Sequence, residues 1–263
     1  MPDLLEAHAE RLRLIVLVHL PLSDETGLSD AAAARLRDLE RRTLHLAATV
    51  IATSDQAARQ LVEMHGLRRV EVAAPGVDPA PLAEPSPDGH RLLCVASVTP
   101  RKGQDLLVAA LQDHLADLRW RCTFVGALTR PVPHTSPAIH FAGPRTGADL
   151  DASYADADLF VLPSRAETYG MVVTEALARG LPVLATQVGG VTEALGLAPD
   201  GDRPGALIPP GDPVVLAGAL RDWLTDPELR RSWRVAARGR RSTLPAWSET
   251  AGRLTEILNG RQR

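Results

Sequence analysis

Lysine is nearly absent from this chain: of 29 basic residues, Lys102 alone is a lysine and the other 28 are arginine. Whatever biased the sequence toward arginine left one compact ammonium on a flexible stem, a side chain suited to a point contact with phosphate. Cysteine is scarce as well. Cys94 and Cys122 lie in apolar, strand-like runs without CxxC or Cys/His spacing. That argues for buried thiols in a reducing, cytoplasmic compartment, and against a disulfide or a metal site. Aromatic residues make up 3% of the chain, too few for a stacking platform that would hold polysaccharide or single-stranded nucleic acid. No apolar run approaches the ~20 residues needed to span a bilayer; the best, at 12–20, is interrupted by His19. The polar start, with Asp3, Glu6 and Glu10, is not that of a secretory leader. A formal charge of −3 speaks against a general nucleic-acid binder.

What is present is an alternation of strands and helices, clearest at 158–193. Residues 158–163 (DLFVLP) are a short apolar run closed by a proline, as in a strand of a parallel sheet covered on both faces. Residues 164–170 form a loop, 171–180 read as a helix closed by Gly180, and 181–186 as a second buried strand. Such a unit puts the loop at the carboxyl end of its first strand, where open α/β sheets bind ligands. Glu167 stands just before the helix and Glu175 about one and a half turns into it. Gly170 permits close backbone approach, and the free N–H groups of a helix start bind anions. Two carboxylates flanking an anion-binding turn suit a sugar joined to a nucleotide through phosphate. The plainer reading is a βαβ crossover with two solvated glutamates.

At 263 residues the chain has room for one large or two small domains. Residues 1–76 read as a parallel βαβαβ piece: a helix over 3–13, a strand over 14–20, and a helix over 31–47 capped by Ser29 or Asp30. A strand over 49–54, a capped helix ending at Gly66 and a strand over 68–76 follow. Residues 77–90, rich in proline, read as a linker. Residues 91–244 form a second domain. It opens with a strand over 91–98 that presents Arg101, Lys102 and Gly103 at its carboxyl end. A strand over 118–128, a strand–turn–helix over 138–157 and two helices begun by Asp–Pro pairs come later. Residues 245–263 are a terminal helix. The arginine-rich stretch 230–241 reads as a solvated helix face, with a peripheral contact to anionic lipid as the alternative.

ETYGMVVTE, with PS before it and EA, G-PV and GG..E after it, resembles the EX7E region of retaining GT-B glycosyltransferases of family 4. TPRKGQDLL resembles the family's element in which an arginine and a lysine bind the donor diphosphate. Lys102 matches the lysine; the arginine's position, five residues earlier, is Ser97, and Arg101 is the candidate substitute. ATVIATSDQAARQL and APGVD (74–78) fit the second half of the family's N-terminal domain, so the chain is expected to begin within it. The resemblance therefore implies an α/β, GT-B-like fold: two Rossmann-type parallel-sheet domains, the N-terminal one incomplete, with 245–263 crossing back to it.

The resemblance also implies roles. Glu167 would accept hydrogen bonds from donor-sugar hydroxyls and Glu175 from the ribose, while Lys102 would stabilise the leaving diphosphate. The backbone at Thr168, Tyr169, Gly170 and Met171 would surround phosphate and sugar oxygens. Gly103 and Gly126 would give small turns against the donor, Arg145 would stand in the turn beside the base, and His19 would face the donor sugar. The implied reaction is a retaining, metal-independent transfer from a nucleoside diphosphate sugar of UDP or GDP type to an acceptor hydroxyl, with no cofactor. No DxD motif stands in a metal-binding context, since Asp156 and Asp158 fall at a helix end and a strand start. The rival reading is a non-catalytic nucleotide-sugar binder or accessory subunit, completed by another chain or another copy. A Rossmann oxidoreductase is unsupported, because no GxGxxG follows a strand. Sugar, base and acceptor are left open.

Overall fold

The computed structural model describes residues 2–260. Met1 and residues 261–263, at the ends of the first and last expected segments, lie outside the described residues. The chain divides into two compact units. One gathers Met1–Gly76, Glu167–Tyr169 and Pro245–Arg263; the other gathers Val77–Ala166 and Gly170–Leu244.

The first unit opens with α1 (Pro2–Glu6), shorter than the expected helix over 3–13 because the following residues are mostly exposed and offer no apolar stripe. Then come β1 (Ile15–Val18), α2 (Asp30–Leu46), β2 (Thr49–Ala52), α3 (Asp55–His65) and β3 (Glu71–Val72). The strands pair in parallel in the order β1-β2-β3, so β1 is an edge. β3 is only two residues long, where a run over 68–76 was expected. Pro75 has no N–H to continue a ladder. Ser29 and Ser54 cap α2 and α3 by accepting from the N–H groups of Ala32 and Ala57 at 3.3 and 3.0 Å. Gly66, at φ +67°, closes α3. Leu44, Val50, Ala52 and Leu61 fill the small core. Beneath β1, the buried Glu40 carboxylate bonds His65 Nε2 at 3.0 Å and accepts the Leu22 N–H at 3.1 Å. Burial pushes the His65 imidazole down, toward its neutral form. An apolar groove of about 690 Å³ runs along β1 and α2, lined by Val16, Leu17, Leu36 and Leu39.

The second unit contains β4 (Arg91–Val95), α4 (Gln104–His114), β5 (Arg121–Val125), β6 (Ile139–Gly143), α5 (Gly147–Ala155), β7 (Leu159–Leu162) and α6 (Met171–Ala178). It continues with β8 (Val183–Thr186), α7 (Val191–Leu195), β9 (Gly205–Ile208), α8 (Pro213–Thr225) and α9 (Pro227–Arg240). Its six strands are parallel, in the order β6-β5-β4-β7-β8-β9. The chain winds outward from β4 in one direction and from β7 in the other. Their carboxyl ends are therefore the topological switch point, the place where such sheets bind ligands. Every residue of β7 and β8 is buried, which is why both read as unbroken apolar runs. One face is covered by α4 and α8 through Leu107, Leu111, Leu216, Leu220 and Trp223. Full burial of side chains of this size contributes roughly 1.5–3 kcal/mol each.

Residues 77–90, expected as a linker, are fastened to the second unit. The Ala83 N–H donates to the Arg179 carbonyl at 2.9 Å, and Ser86 donates to Asp158 through its N–H and its hydroxyl at 2.5 and 2.7 Å. Asp158 is fully buried and also accepts from the Arg91 N–H and guanidinium at 2.9 to 3.1 Å. The arginine stretch at 230–241, expected as a solvated helix face, is solvated only in part, at Arg231, Arg238 and Arg241. Arg230 donates to the carbonyls of Trp223 and Leu224, Arg234 to Ser86, Arg240 to Leu195, and Arg241 to Ala178 and Ala80. A guanidinium carries five donors in a fork, and here four such forks reach carbonyls at the ends of α6, α7 and α8 and in the 77–90 segment.

The last helix, α10 (Trp247–Leu258), belongs to the first unit. Ile257 packs with Ile51 and Ala73, Arg253 pairs with Glu71 at 2.7 Å, and the Thr250 hydroxyl donates to the Ala74 carbonyl at 2.8 Å.

Candidate active site

At the switch point of the second unit, the loops that leave β4 and β7 are stitched together. The Arg165 N–H donates to the Arg101 carbonyl at 2.7 Å, and the Arg101 guanidinium donates to the Ala166 carbonyl at 3.0 Å. Arg101, expected as a substitute phosphate ligand, is thus aimed at loop backbone. Lys102 ends a 3₁₀ turn over Pro100–Lys102 and is half-buried. Gly103 follows at φ +69°, and a Cβ there would stand 2.1 Å from the Pro163 carbonyl oxygen. Only glycine lets the two loops come this close. Gly126 is required for a similar reason, since its Cβ would meet the Ala96 carbonyl oxygen at 2.1 Å. Its demand is strand-to-strand approach, whatever lies beyond. Ser97 is exposed, and its carbonyl accepts from the buried Gln104 amide at 3.1 Å.

α6 begins directly after the β7 loop. Gly170 occupies its N-cap at φ +89°, and no side chain caps the helix. Orphan N–H groups and the positive end of the helix dipole therefore meet at Met171, which is exposed. Glu175, on the same helix, is half-buried and has a partner. The Tyr154 hydroxyl donates to its Oε2 at 2.9 Å. Tyr154 is itself fully buried, with the Arg179 guanidinium over its ring at 4.4 Å. Burial, with the Glu175 charge beside it, pushes the Tyr154 phenol far up, so it stays a donor. Arg145, in the turn after β6, donates to the Ser153 hydroxyl at 2.9 Å. It lines a groove of about 200 Å³ with Arg91, Arg121, His140 and Asp156.

Three expected residues fall in the first unit with His19. His19 follows β1 and is exposed; its carbonyl accepts the Thr168 hydroxyl at 2.5 Å. The Thr168 carbonyl in turn accepts the Ser54 hydroxyl at 2.6 Å. Glu167 and Tyr169 are 9% and 5% exposed, which removes the reading of Glu167 as a surface carboxylate. Among the described residues, no group of three or more His, Cys, Asp or Glu side chains could hold a metal ion.

Within the second unit the fold thus brings Arg101, Lys102, Gly103, Gly170 and Met171 to the loops of two adjacent strands, with Glu175 further along α6. Gly126 follows the next strand and Arg145 the one beyond it, at the edge of the sheet. Tyr154 and Gln104 were not among the expected residues. Tyr154 had a faint signal, as one of two tyrosines in an aromatic-poor chain.

Two units of parallel α/β sheet, the second with its ligand edge at a β4/β7 switch point, define a protein of the GT-B glycosyltransferase fold. The backbone agrees with sucrose-phosphate synthase from Thermosynechococcus elongatus at a TM-score of 0.80 and 23% identity, covering 98% of this chain and 71% of that one. It agrees with Anabaena Alr3699/HepE in complex with UDP-glucose at 0.78 and 21%, covering 99% and 77%. Family models described as glycosyl transferases group 1 and glycosyltransferase family 4 match residues 89–226 and 2–81. The chain belongs to this family, the group 1 or family 4 glycosyltransferases. It is 31% identical over 255 residues to a D-inositol 3-phosphate glycosyltransferase of Kineococcus radiotolerans and 33% identical over 258 residues to one of Nocardiopsis dassonvillei. Those alignments cover 83% and 85% of this chain and 58% of each relative, so the chain spans a little over half the length of these curated relatives.

Proposed function

We propose that the chain carries the donor-binding machinery of a retaining glycosyltransferase, which moves a sugar from a UDP- or GDP-type nucleoside diphosphate sugar to an acceptor hydroxyl. The observation that carries this reading is that the chain's one lysine and the uncapped start of α6 stand on the loops of two neighbouring strands at a switch point. Lys102 and the α6 dipole would stabilise the negative charge that develops on the leaving diphosphate, so the chemistry needs no divalent ion or other cofactor. Glu175 would hold ribose hydroxyls. Glu167 would accept from the donor sugar, its burial keeping the carboxylate in a fixed pose, and His19 would act on the same sugar. The acceptor oxygen would attack on the leaving-group face, with the diphosphate taking its proton. The glycosyltransferase names of the curated relatives and the UDP-glucose held by Alr3699/HepE support the reading.

A second reading, a nucleotide-sugar-binding subunit without turnover, is favoured by Ser97 at the family's arginine position and by the direction of Arg101 toward Ala166. Calorimetric titration with UDP, GDP and ADP in the presence of a chelator tests the donor site. One nucleotide should bind saturably, and Lys102→Ala should weaken it at least tenfold, the scale of a charge-assisted contact. Equal binding by the variant would remove Lys102 from the site. Release of free sugar from the matching nucleotide sugar, or its transfer to an added acceptor, then separates the two readings.

A further inference from the structure

The proposed ribose contact requires a carboxylate held in one orientation, and the fold supplies a device for that outside the expected site. Glu175 lies on α6, whose loop carries the anion-binding turn, whereas Tyr154 lies at the end of α5, the helix that precedes β7. The phenol reaches Glu175 Oε2 at 2.9 Å. It is buried, its ring is stacked near Phe160 with centroids 5.9 Å apart, and Arg179 covers it at 4.4 Å. Arg179 is pinned in turn, donating to the Glu175 carbonyl at 3.0 Å and pairing with Asp151. Every rotor of the tyrosine except the hydroxyl is thus fixed by packing, and the hydroxyl has the carboxylate as its partner. No other hydrogen bond is made to this carboxylate among the described residues, so Oε1 is left for a ligand.

We propose that Tyr154 is a positioning residue for nucleotide binding: by occupying Glu175 Oε2 it fixes the plane of the carboxylate and presents Oε1 to the ribose hydroxyls of the donor. This rests on the assignment of Glu175 to the ribose. A carboxylate on an exposed stem loses rotamer freedom when a ligand binds, and one already locked by a buried donor does not. The phenol also stays protonated, so its hydrogen bond is always of the same polarity.

The test compares two ligands on three proteins. The ribonucleoside diphosphate that binds best among UDP, GDP and ADP is titrated against the wild-type chain, Tyr154→Phe and Glu175→Gln, and the 2′,3′-dideoxy form of that nucleotide is titrated in parallel. Phenylalanine keeps the ring, its stacking and the Arg179 contact. Tyr154→Phe should weaken the ribonucleotide about three- to tenfold, the scale of one hydrogen bond, and leave the dideoxy form unchanged. An equal loss for both ligands means a merely structural tyrosine and overturns the proposal, as does no loss for either. If Glu175→Gln weakens the ribonucleotide while Tyr154→Phe does not, the positioning role alone fails. If Glu175→Gln changes nothing, or if no nucleotide binds, the ribose assignment fails and the proposal falls with it.

Discussion

β7 and β8 of the second unit have no residue open to water, while β1 of the first unit leaves Leu17 41% exposed at the edge of its sheet, beside an apolar groove. The contrast extends to the buried acids. Asp158 in the second unit accepts from Ser86 and from the Arg91 guanidinium, a full charge pair. Glu40 in the first unit faces His65, whose burial favours the neutral ring. Each acid ties a loop to the body of its unit, one through Ser86 and the other through Leu22. The lesson is that a sheet covered on both faces, with a buried charge pair at its strand starts, can hold loops such as those around Lys102 and Gly170 to a fixed geometry, whereas in the three-stranded sheet the buried tie is to a neutral ring and the charged ones, such as Arg253–Glu71, are partly open to water.

The largest expected effect breaks that contrast at its strongest point. Asp158→Ala would remove the fully buried acceptor shared by Ser86, the Arg91 N–H and the Arg91 guanidinium, leaving the guanidinium its solvent-facing pair with Asp156. Loss of one partner of a buried pair costs about 3–5 kcal/mol. Glu40→Ala removes a hydrogen bond to a neutral ring and to one N–H, and should cost about 1–3 kcal/mol. Amide hydrogen exchange reports each unit separately. Asp158→Ala should deprotect β4 and β7 and leave β2 unchanged, and Glu40→Ala the reverse. Equal deprotection of both units by either variant would mean that the fastenings are not local.

Much of this architecture was legible because it rests on short-range rules. The apolar runs of β7 and β8, the serine caps of α2 and α3, Gly66 and the Asp–Pro starts of α8 and α9 all speak within four residues of themselves. The β7–α6 loop was legible by spacing, and by a resemblance that its motifs carried. What escaped depends on distant partners. The two-residue β3 could not be told from a longer strand by its local pattern, and the pairing of its Glu71 with Arg253 in the last helix has no local signal. Arg241 reaches Ala80, and nothing near 241 announces a carbonyl so far away in the chain. Arg101 stands beside Lys102 in the element that carries the resemblance, and nothing local announces that its guanidinium donates to the Ala166 carbonyl. Tyr154 gave no periodic signal at all; its meaning comes from α6, which is placed beside it by the sheet order.

A pH titration sharpens the comparison, because His65 and Asp158 titrate in different windows. The His65 ring is held below its ordinary value of 6.5, chiefly by burial, with Glu40 opposing. Between the folded and the ordinary value the unfolded chain binds more protons, so stability contributed here is present above about pH 6.5 and is lost as pH falls through that window. Burial alone would raise Asp158, but the hydrogen bonds from Arg91 and Ser86 outweigh it and hold the acid below 3.8. Its contribution is present above about pH 4 and is lost only below that. Acid should therefore loosen the first unit before the second, visible as earlier loss of amide protection in β2 than in β7. A His65→Gln variant should remove the early step; its persistence would assign that step to another group.

The smallest effect separates two serines that look alike in sequence. Ser29 and Ser54 each cap a helix by accepting an N–H three residues on, and replacing such a cap with alanine costs about 0.5–2 kcal/mol. Ser29 is exposed, so water can take over from its hydroxyl when it is removed, and Ser29→Ala should fall near the lower figure. Ser54 is fully buried, and its hydroxyl also donates to the Thr168 carbonyl at 2.6 Å. Ser54→Ala would orphan a carbonyl as well as an N–H, and should lie at or above the upper figure. The same change frees the backbone on one side of Thr168, whose hydroxyl holds the His19 carbonyl. Urea unfolding followed at α2 and α3 by exchange would rank the two variants. Equal costs would mean that the Ser54–Thr168 bond contributes nothing beyond the cap, and that the 167–169 loop is held by its own burial alone.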